Sequence, residues 1–270
     1  MDPNNQSKLR LSRVSHQYPG ASGEPLVVLK DISLDIANGE FVTIVGGSGS
    51  GKTTLLRIVD RLIPPSSGQV LIDGKVVERP GGQISFVFQQ DCLMPWRRVL
   101  GNATYGLDLR GVAKSDAQER ARKYLDLVGL SGFERYYPHQ LSGGMRQRVN
   151  LARALAVEPD ILLMDEPFAA LDAQTRELMQ IELLRIWKQT GKTILFVTHQ
   201  LDEAVFLADR VVALSARPGS IREVLDIDIP RPRDIEIKRT THFQDYVSRL
   251  WHLIEADVRR SFRAETAAEA

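Results

Sequence analysis

The sequence predicts an α/β protein with a mostly parallel sheet flanked by helices. Two continuous apolar runs, Ile161–Met164 and Thr193–Val197, have the composition of central parallel strands covered on both faces. Between them, apolar residues recur at helical spacing: Leu178, Ile181, Leu184 and Trp187. Strand, helix and strand at this spacing form a βαβ unit. A third apolar run, Phe41–Val45, leads directly into a glycine-rich segment.

The N-terminal third is expected to be rich in strands. Residues 9–45 are interpreted as short strands broken by a turn-rich stretch at 18–23. The segment after the glycines has helical character from Thr54, and residues 66–88 return to strand patterning.

The middle and the end of the chain are expected to be helical. Residues from about 90 to 157 are richer in helix formers and are predicted to be a helical insert within a main domain of residues 1–240. Residues 241–270 are predicted to form a C-terminal helix with a frayed tail from Ala264, because Thr241 and Gln244 have capping-box spacing. One apolar face is expected on this helix: Phe243, Val247, Leu250, Trp251, Ile254 and Val258.

The composition limits the function classes. The 270 residues carry 35 Lys and Arg against 34 Asp and Glu, so no global field recruits nucleic acid. One cysteine, Cys92, cannot form an internal disulfide. The polar N-terminus lacks the layout of a signal peptide, and no apolar run approaches the roughly 20 residues that span a bilayer. Work at a membrane would therefore require a partner.

The glycine-rich segment matches the pattern of a phosphate-binding P-loop. Its residues are Gly46, Gly47, Ser48, Gly49, Ser50, Gly51, Lys52 and Thr53, with Thr54 next in the predicted helix. The motif has a predicted strand before it and a predicted helix after it, which is the structural context of a P-loop. Backbone N–H groups and the helix N-terminus would face phosphate oxygens of a bound nucleotide. Lys52 would reach the β- and γ-phosphates, and the Thr53 hydroxyl would bind Mg²⁺.

A second motif narrows the class of P-loop protein. Leu141-Ser142-Gly143-Gly144 precedes a helical segment, and here the sequence resembles the ABC ATPase family. The resemblance implies a P-loop NTPase core with an N-terminal antiparallel β subdomain and an α-helical signature subdomain. It also implies a head-to-tail dimer, in which Ser142, Gly143 and Gly144 contact the ATP of the other copy. For the tetrapeptide alone, a simple helix cap remains the alternative.

The remaining motifs fall in the order of the same family. Asp165 ends a buried strand, where a carboxylate would hold Mg²⁺, and Glu166 is the candidate general base. The resemblance implies that Gln89 senses Mg²⁺ and water, and that His199 contacts the γ-phosphate. Asp172 matches the D-loop that communicates across the dimer, and it could equally be the N-cap of a helix from about 173.

Tyr18 is the candidate that stacks on adenine, with a loop tyrosine covering the sheet edge as the alternative. The sequence departs from the common family pattern in four places, none of which removes a catalytic group. The four residues are Gly47, Met145, Ala170 and Gln200. An active ATPase is therefore expected.

Four short segments resemble the nitrate, sulfonate and taurine group of bacterial importers. They are residues 91–96, 137–140, 215–219 and 229–234. This resemblance implies an ATP-hydrolysing subunit that energises import of a small anion. Importers of thiamine precursors and other small organic compounds share these segments.

The resemblance also implies the partners and the location. They are a second ATPase subunit, integral membrane permease subunits and, indirectly, a periplasmic substrate-binding protein, at the cytoplasmic face of the inner membrane. The segment at 90–100 is expected to grip the permease through Leu93, Met94, Pro95 and Trp96. Two alternatives stay open, an ATPase for lipid or lipoprotein export and a soluble ABC protein acting on the ribosome or DNA.

Overall fold

The computed structural model describes residues 7–20 and 23–269, with side-chain surroundings described up to Arg260. The strands are β1 Ser7–Tyr18, β2 Leu26–Ala37, β3 Phe41–Gly46, β4 Ser67–Ile72, β5 Lys75–Val76, β6 Ile84–Val87, β7 Ile161–Asp165, β8 Thr193–Val197, β9 Arg210–Leu214 and β10 Ile221–Asp226. The helices are α1 Lys52–Val59, α2 Val99–Ala103, α3 Tyr105–Leu109, α4 Lys114–Leu127, α5 Gly143–Ala156, α6 Ala173–Thr190, α7 Leu201–Leu207 and α8 Thr241–Glu269. Short 3-10 helices span Pro138–Gln140 and Ile235–Arg239.

The chain forms two units, Met1–Pro80 with Thr193–Ala270, and Gly81–Lys192. The predicted α/β fold class is confirmed, with parallel strands, an N-terminal antiparallel sheet and a helix-rich segment that carries the signature. The boundaries predicted at 90–157 and at 240 stay predictions.

The first unit contains two groups of strands. Strands β2, β1, β4 and β5 form an antiparallel sheet in that order. In the other group β3 lies parallel to both β8 and β9, and Ile44 is in register with Val197 and Val212. All six residues of β3 are buried, as expected for a central parallel strand.

Several elements of the first unit differ from the prediction. Helix α1 begins at Lys52, two residues before the predicted Thr54, because Gly51 with φ 84° already turns the chain into the helix. Strands β1 and β2 are 12 residues each rather than short, and their register shifts at several points. Helix α7 and strands β9 and β10 were not predicted from the sequence.

Helix α8 packs on α7 and β9 in the same unit. Phe243, Leu250 and Ile254 are buried as predicted, whereas Trp251 is 42% exposed. The cap is one residue earlier than predicted, since the N–H of Phe243 donates to Thr240 Oγ1 at 3.3 Å. The predicted fraying from Ala264 concerns side chains outside the described residues.

The second unit pairs β6 with β7 in parallel and packs α5 against α2 and α4. Helix α6 ends at Gly191, whose φ of 61° provides a left-handed cap. Helix α6 is the helix that this spacing predicted, although two of the apolar residues that indicated it, Leu178 and Ile181, are 61% and 40% exposed. The buried face is shifted by one residue and uses Met179, Leu183 and Ile186, which have helical spacing too. Among the described residues, no helix combines the length and the apolar character needed to cross a membrane.

Candidate nucleotide-binding and catalytic site

The P-loop connects β3 to α1, and its shape depends on glycine at defined positions. Gly49 and Gly51 have φ of 75° and 84°, a region that residues with a Cβ rarely adopt. A Cβ on Gly46 would lie 2.8 Å from Ser50 Oγ and 3.0 Å from the carbonyl oxygen of Leu214. Gly46 is therefore required by close packing rather than by its dihedral angle. The loop closes through a hydrogen bond from the N–H of Ser50 to the carbonyl of Gly47 at 3.2 Å.

The N-terminus of α1 has the features of an anion site. Gly51 is its N-cap and supplies no capping side chain, and the first turn contains no acidic residue. The backbone N–H groups of a first turn carry a partial positive charge that favours phosphate. Thr53 and Thr54 lie half-buried in this turn.

Lys52 is held inside the loop. Only 9% of the residue is exposed, and its Nζ donates to the carbonyls of Gly46 at 2.9 Å and Gly47 at 3.3 Å. Ser50 Oγ lies 3.4 Å from the same nitrogen. Carbonyl and hydroxyl oxygens can be exchanged for phosphate oxygens without leaving the ammonium group unpaired.

His199 follows β8 at the edge of the sheet where the P-loop follows β3. The register of Ile44 with Val197 places both segments at the carboxyl ends of neighbouring parallel strands. His199 is exposed, and the buried pair of Thr198 and Glu203 next to it holds the start of α7. This pair was not found from the sequence.

Tyr18 ends β1 and is half-buried. Its ring meets that of His16 edge-to-face, with centroids 4.6 Å apart and planes at 82°. His16 is 8% exposed, so it provides a fixed surface against which the tyrosine ring rests.

The second unit places its candidate residues at one edge of β6 and β7. Val87 is in register with Met164, so Gln89 and Asp165 leave neighbouring parallel strands on the same side. Asp165 ends β7, and Glu166 follows with φ 46°, a conformation uncommon for a residue other than glycine. The N–H of Ala169 closes this turn on the carbonyl of Glu166 at 3.1 Å.

The signature residues and the D-loop are neighbours within the second unit. Ser142 caps α5 by accepting the N–H of Met145 at 3.3 Å. A Cβ on Gly144 would lie 2.8 Å from Thr175 Cγ2, and one on Gly143 would lie 3.6 Å from Leu171 Cδ2. The glycines therefore let α5 approach the start of α6.

Asp172 caps α6 by accepting the N–H of Thr175 at 3.0 Å. This hydrogen bond lowers the pKa of the Asp172 carboxyl below its ordinary value. Ser142 and Asp172 therefore both act as helix N-caps, which is the alternative that the sequence left open for each. A role across a dimer is compatible with capping.

Helix α5 also holds the segment around Gln89, which the sequence reasoning missed. Gln147 Nε2 donates to the carbonyl of Gln89 at 3.1 Å, and Arg146 Nε pairs with Asp91 at 2.9 Å. Arg153 donates to the carbonyls of Asp91 and Cys92 at 2.9 and 2.7 Å. These contacts join residues far apart in sequence, so no local pattern could indicate them.

Comparisons with known proteins identify the family of the chain. Residues 29–169 match the family model described as ABC transporter. The chain is 52% identical over 242 residues to an uncharacterized ABC transporter ATP-binding protein of Methanocaldococcus jannaschii, covering 90% of each chain. It is 50% identical over 220 residues to the taurine import ATP-binding protein TauB of Pseudomonas fluorescens, covering 82% of each.

The structure is also similar to a solved dimeric ATP-binding cassette in a post-hydrolysis state with ADP and Pi. The TM-score is 0.71 at 33% sequence identity, covering 82% of this chain and 100% of the other. Together, fold, P-loop and family match define an ATP-binding cassette ATPase. The chain belongs to the ABC transporter family and is an ATP-hydrolysing subunit of such a transporter.

Proposed function

We propose that this ATPase energises an importer for a small anion of the sulfonate, taurine or nitrate type. The observation that carries the proposal is the 50% identity over 82% of the chain to a protein named for taurine import. The exporter and the ribosome or DNA alternatives have no comparable support among the relatives described above. The ATPase would lie at the cytoplasmic face of the inner membrane, bound to permease subunits.

Catalysis is proposed to rest on Glu166 as the general base for the attacking water. The carboxylate directly follows strand β7 and is half-buried, which suits a base that must meet a single water molecule. A positioned base contributes about 10²–10⁴-fold in rate. Lys52 would bind the β- and γ-phosphates, and His199 would contact the γ-phosphate.

Thr53, Gln89 and Asp165 are proposed as the residues that hold Mg²⁺ with ATP. Their hydroxyl, amide and carboxylate oxygens are the hard donors that Mg²⁺ prefers, so the chemistry of the donors fits the ion. When bound, the ion supplies charge that offsets the negative charge of the β- and γ-phosphates. Tyr18 is proposed to stack on adenine.

Each ATP is proposed to be completed by a second copy of the chain. Ser142, Gly143 and Gly144 would contact the γ-phosphate bound to the other subunit, with Asp172 next to them. Their adjacency through Gly144 and Thr175 supports a common role at one interface. ATP binding would close this dimer, and hydrolysis would reopen it.

The permease is proposed to dock on the segment after Gln89, with Trp96 as its main contact. Trp96 is 74% exposed, whereas Leu93 is 9% exposed and belongs to the core, so the predicted docking surface is smaller than the sequence indicated. Asn102 fixes the segment, accepting the N–H of Met94 at 2.8 Å and donating to the Arg97 carbonyl at 3.0 Å. A rigid loop with one exposed aromatic residue is suited to anchor a partner helix.

The docking proposal is tested with Trp96→Glu, and Trp251→Glu on α8 serves as a control of the same residue type. Trp96→Glu should abolish co-purification with the permease and leave ATP binding intact, whereas Trp251→Glu should retain both. Normal permease binding and coupled transport by Trp96→Glu would contradict the docking site.

The substrate class is tested by calorimetric screening of the substrate-binding protein of the same transporter. Taurine, other alkanesulfonates, nitrate and thiamine precursors form the panel. Tight binding of a sulfonate or nitrate supports the proposal. Exclusive binding of a thiamine precursor would overturn the substrate class, as would evidence that the transporter releases lipoprotein. Neither result would affect the assignment of the chain as an ATPase.

A further inference from the structure

The turn between β9 and β10 contains the Ser215–Gly219 segment that resembled the importer group, and the proposed mechanism assigns it no role. The turn is closed at its base by Ser215 and Ser220. The N–H of Ser215 donates to the carbonyl of Ser220 at 2.9 Å, and Ser215 Oγ accepts the N–H of Ser220 at 3.0 Å. The turn therefore has one defined shape.

This turn packs directly against the P-loop. A Cβ on Gly219 would lie 2.1 Å from the carbonyl oxygen of Ser50, so the two backbones touch and only glycine fits. Gly219 is also tied to β2, because its N–H donates to Val28 and its carbonyl accepts from Lys30, both at 2.8 Å. The turn supports the P-loop on the side of Ser50.

Helix α8 fixes the same turn through Asp257. This carboxylate is only 2% exposed, and its Oδ2 accepts the N–H of Ala216 at 2.9 Å. The same oxygen pairs with Arg222 Nη2 at 2.8 Å, so the buried charge is compensated. Asp257 Cβ also lies 3.6 Å from the position that a Cβ on Gly47 would occupy, so α8 lies beside the P-loop.

Arg217, the next residue after Ala216, extends along the P-loop. Its Nε lies 3.4 Å from the position of a Cβ on Gly49. The residue is exposed, and its guanidinium makes no hydrogen bond or ion pair within the described part of the chain. An uncompensated guanidinium beside a phosphate-binding loop suits phosphate oxygens, which match its planar set of donors.

We propose that Arg217 is a further phosphate-binding residue of the nucleotide site, and that Asp257 is its positioning residue. The inference rests on the proposed binding of ATP by the P-loop. It assigns a function to the C-terminal helix, because α8 holds the turn that carries the charge.

The test compares nucleotide affinity of the full chain with Arg217→Gln and Arg217→Lys, by calorimetry with ADP and with a non-hydrolysable ATP analogue. Loss of one exposed charge beside the P-loop should weaken binding by about fivefold at low ionic strength. The loss should shrink at high ionic strength, because salt screens exposed charges. Arg217→Lys should recover most of the affinity. For Arg217→Gln, the KM for ATP should rise while kcat at saturation is kept.

Arg13→Gln is the matched control. Arg13 is also exposed, has φ 48° against 53° for Arg217, and likewise makes no side-chain hydrogen bond within the described residues. It should bind nucleotide as the wild type does. Arg217→Gln with wild-type affinity at low ionic strength, or a loss that lysine does not rescue, would overturn the assignment.

Lys52→Ala distinguishes a failure of this inference from a failure of the proposed ATP binding by the P-loop. If Lys52→Ala loses affinity and Arg217→Gln does not, only the assignment of Arg217 fails. If Lys52→Ala binds like the wild type, the P-loop proposal fails. If Asp257 acts through Arg217, the double variant Asp257→Asn/Arg217→Gln should lose no more affinity than Arg217→Gln alone. Full additivity of the two losses would contradict the positioning role.

Discussion

Individual residues of the P-loop have separate physical reasons for their identity. Gly46 and Gly47 are neighbours in the motif, yet only Gly46 is confined by its surroundings. A Cβ on Gly47 would meet Asp257 and Val258 at 3.6 Å, an ordinary contact distance. A small side chain at position 47 would therefore fit without displacing its neighbours.

Gly46→Ala and Gly47→Ala form a matched pair. Gly46→Ala should lower stability by about 1–3 kcal/mol and weaken ATP binding, because the methyl group must displace Ser50 or the Leu214 carbonyl. Gly47→Ala should stay close to wild type in both properties. Urea unfolding and nucleotide titration measure the difference, and equal effects of the two substitutions would contradict the packing argument.

Asp60, which caps the C-terminal end of α1, should make stability depend on pH. Burial raises the pKa of this carboxyl from 3.8 to about 6. The folded state therefore binds this proton more tightly than the unfolded state, and ionisation above about pH 6 opposes folding.

Asp60→Asn removes this ionisation. Relative to wild type, the variant should gain stability above about pH 6, and the gain should vanish as the pH falls towards 3.8. Urea midpoints of both proteins over this range test the argument. A constant difference at every pH would show that Asp60 does not titrate as described.

At the scale of elements, helix α5 follows the signature and also holds the segment that contains Gln89. Four of its side chains hold the segment from Phe88 to Cys92: Arg146, Gln147, Asn150 and Arg153. Any tilt of α5 would therefore move the backbone at Gln89. The partners are separated by 55–62 residues in sequence, which explains why the motifs predicted Gln89 and the signature separately but not their link.

Arg153→Ala should loosen this link, and Arg148→Ala is its control on the same helix. Arg153 donates to two carbonyls of the segment and to Asn150, whereas Arg148 Nε contacts only Met179 Sδ at 3.4 Å among the contacts described. Hydrogen exchange of residues 88–92 should accelerate in Arg153→Ala and stay unchanged in Arg148→Ala. Equal protection in both variants would contradict the link.

Apolar patterns in the sequence were sufficient to predict some strands and helices, but not which face of a helix is buried. Apolar runs predicted β3, β7 and β8 because buried parallel strands need no polar face. On α6, two different sets of apolar residues have helical spacing, and only packing decides that Met179 and Leu183 are buried while Leu178 is exposed. The N-cap of α8 is Thr240 rather than the predicted Thr241. Two adjacent threonines have equal capping ability, so the sequence pattern could not distinguish them.

For the whole molecule, the motifs allowed the class of protein to be predicted because phosphate chemistry requires contiguous residues. The P-loop and the signature each need glycines, a hydroxyl and a helix start within a few positions, so they can be recognised without a structure. The support from α8 and the turn at Arg217 could not be predicted, because Ala216 and Asp257 are 41 residues apart. The proposed cargo rests on similarity to relatives such as the taurine import ATP-binding protein TauB.

The central claim is that this chain is an ATPase in which Glu166 is the base and ATP joins two copies. The most direct measurement is ATP turnover and oligomeric state of Glu166→Gln, with Glu177→Gln, an exposed residue of α6, as control. Glu166→Gln should bind ATP, lose about 10²–10⁴-fold in turnover and accumulate as a dimer in ATP. Glu177→Gln should behave as wild type. Unchanged turnover by Glu166→Gln would remove Glu166 as the base, and a monomer with ATP bound would contradict the shared site.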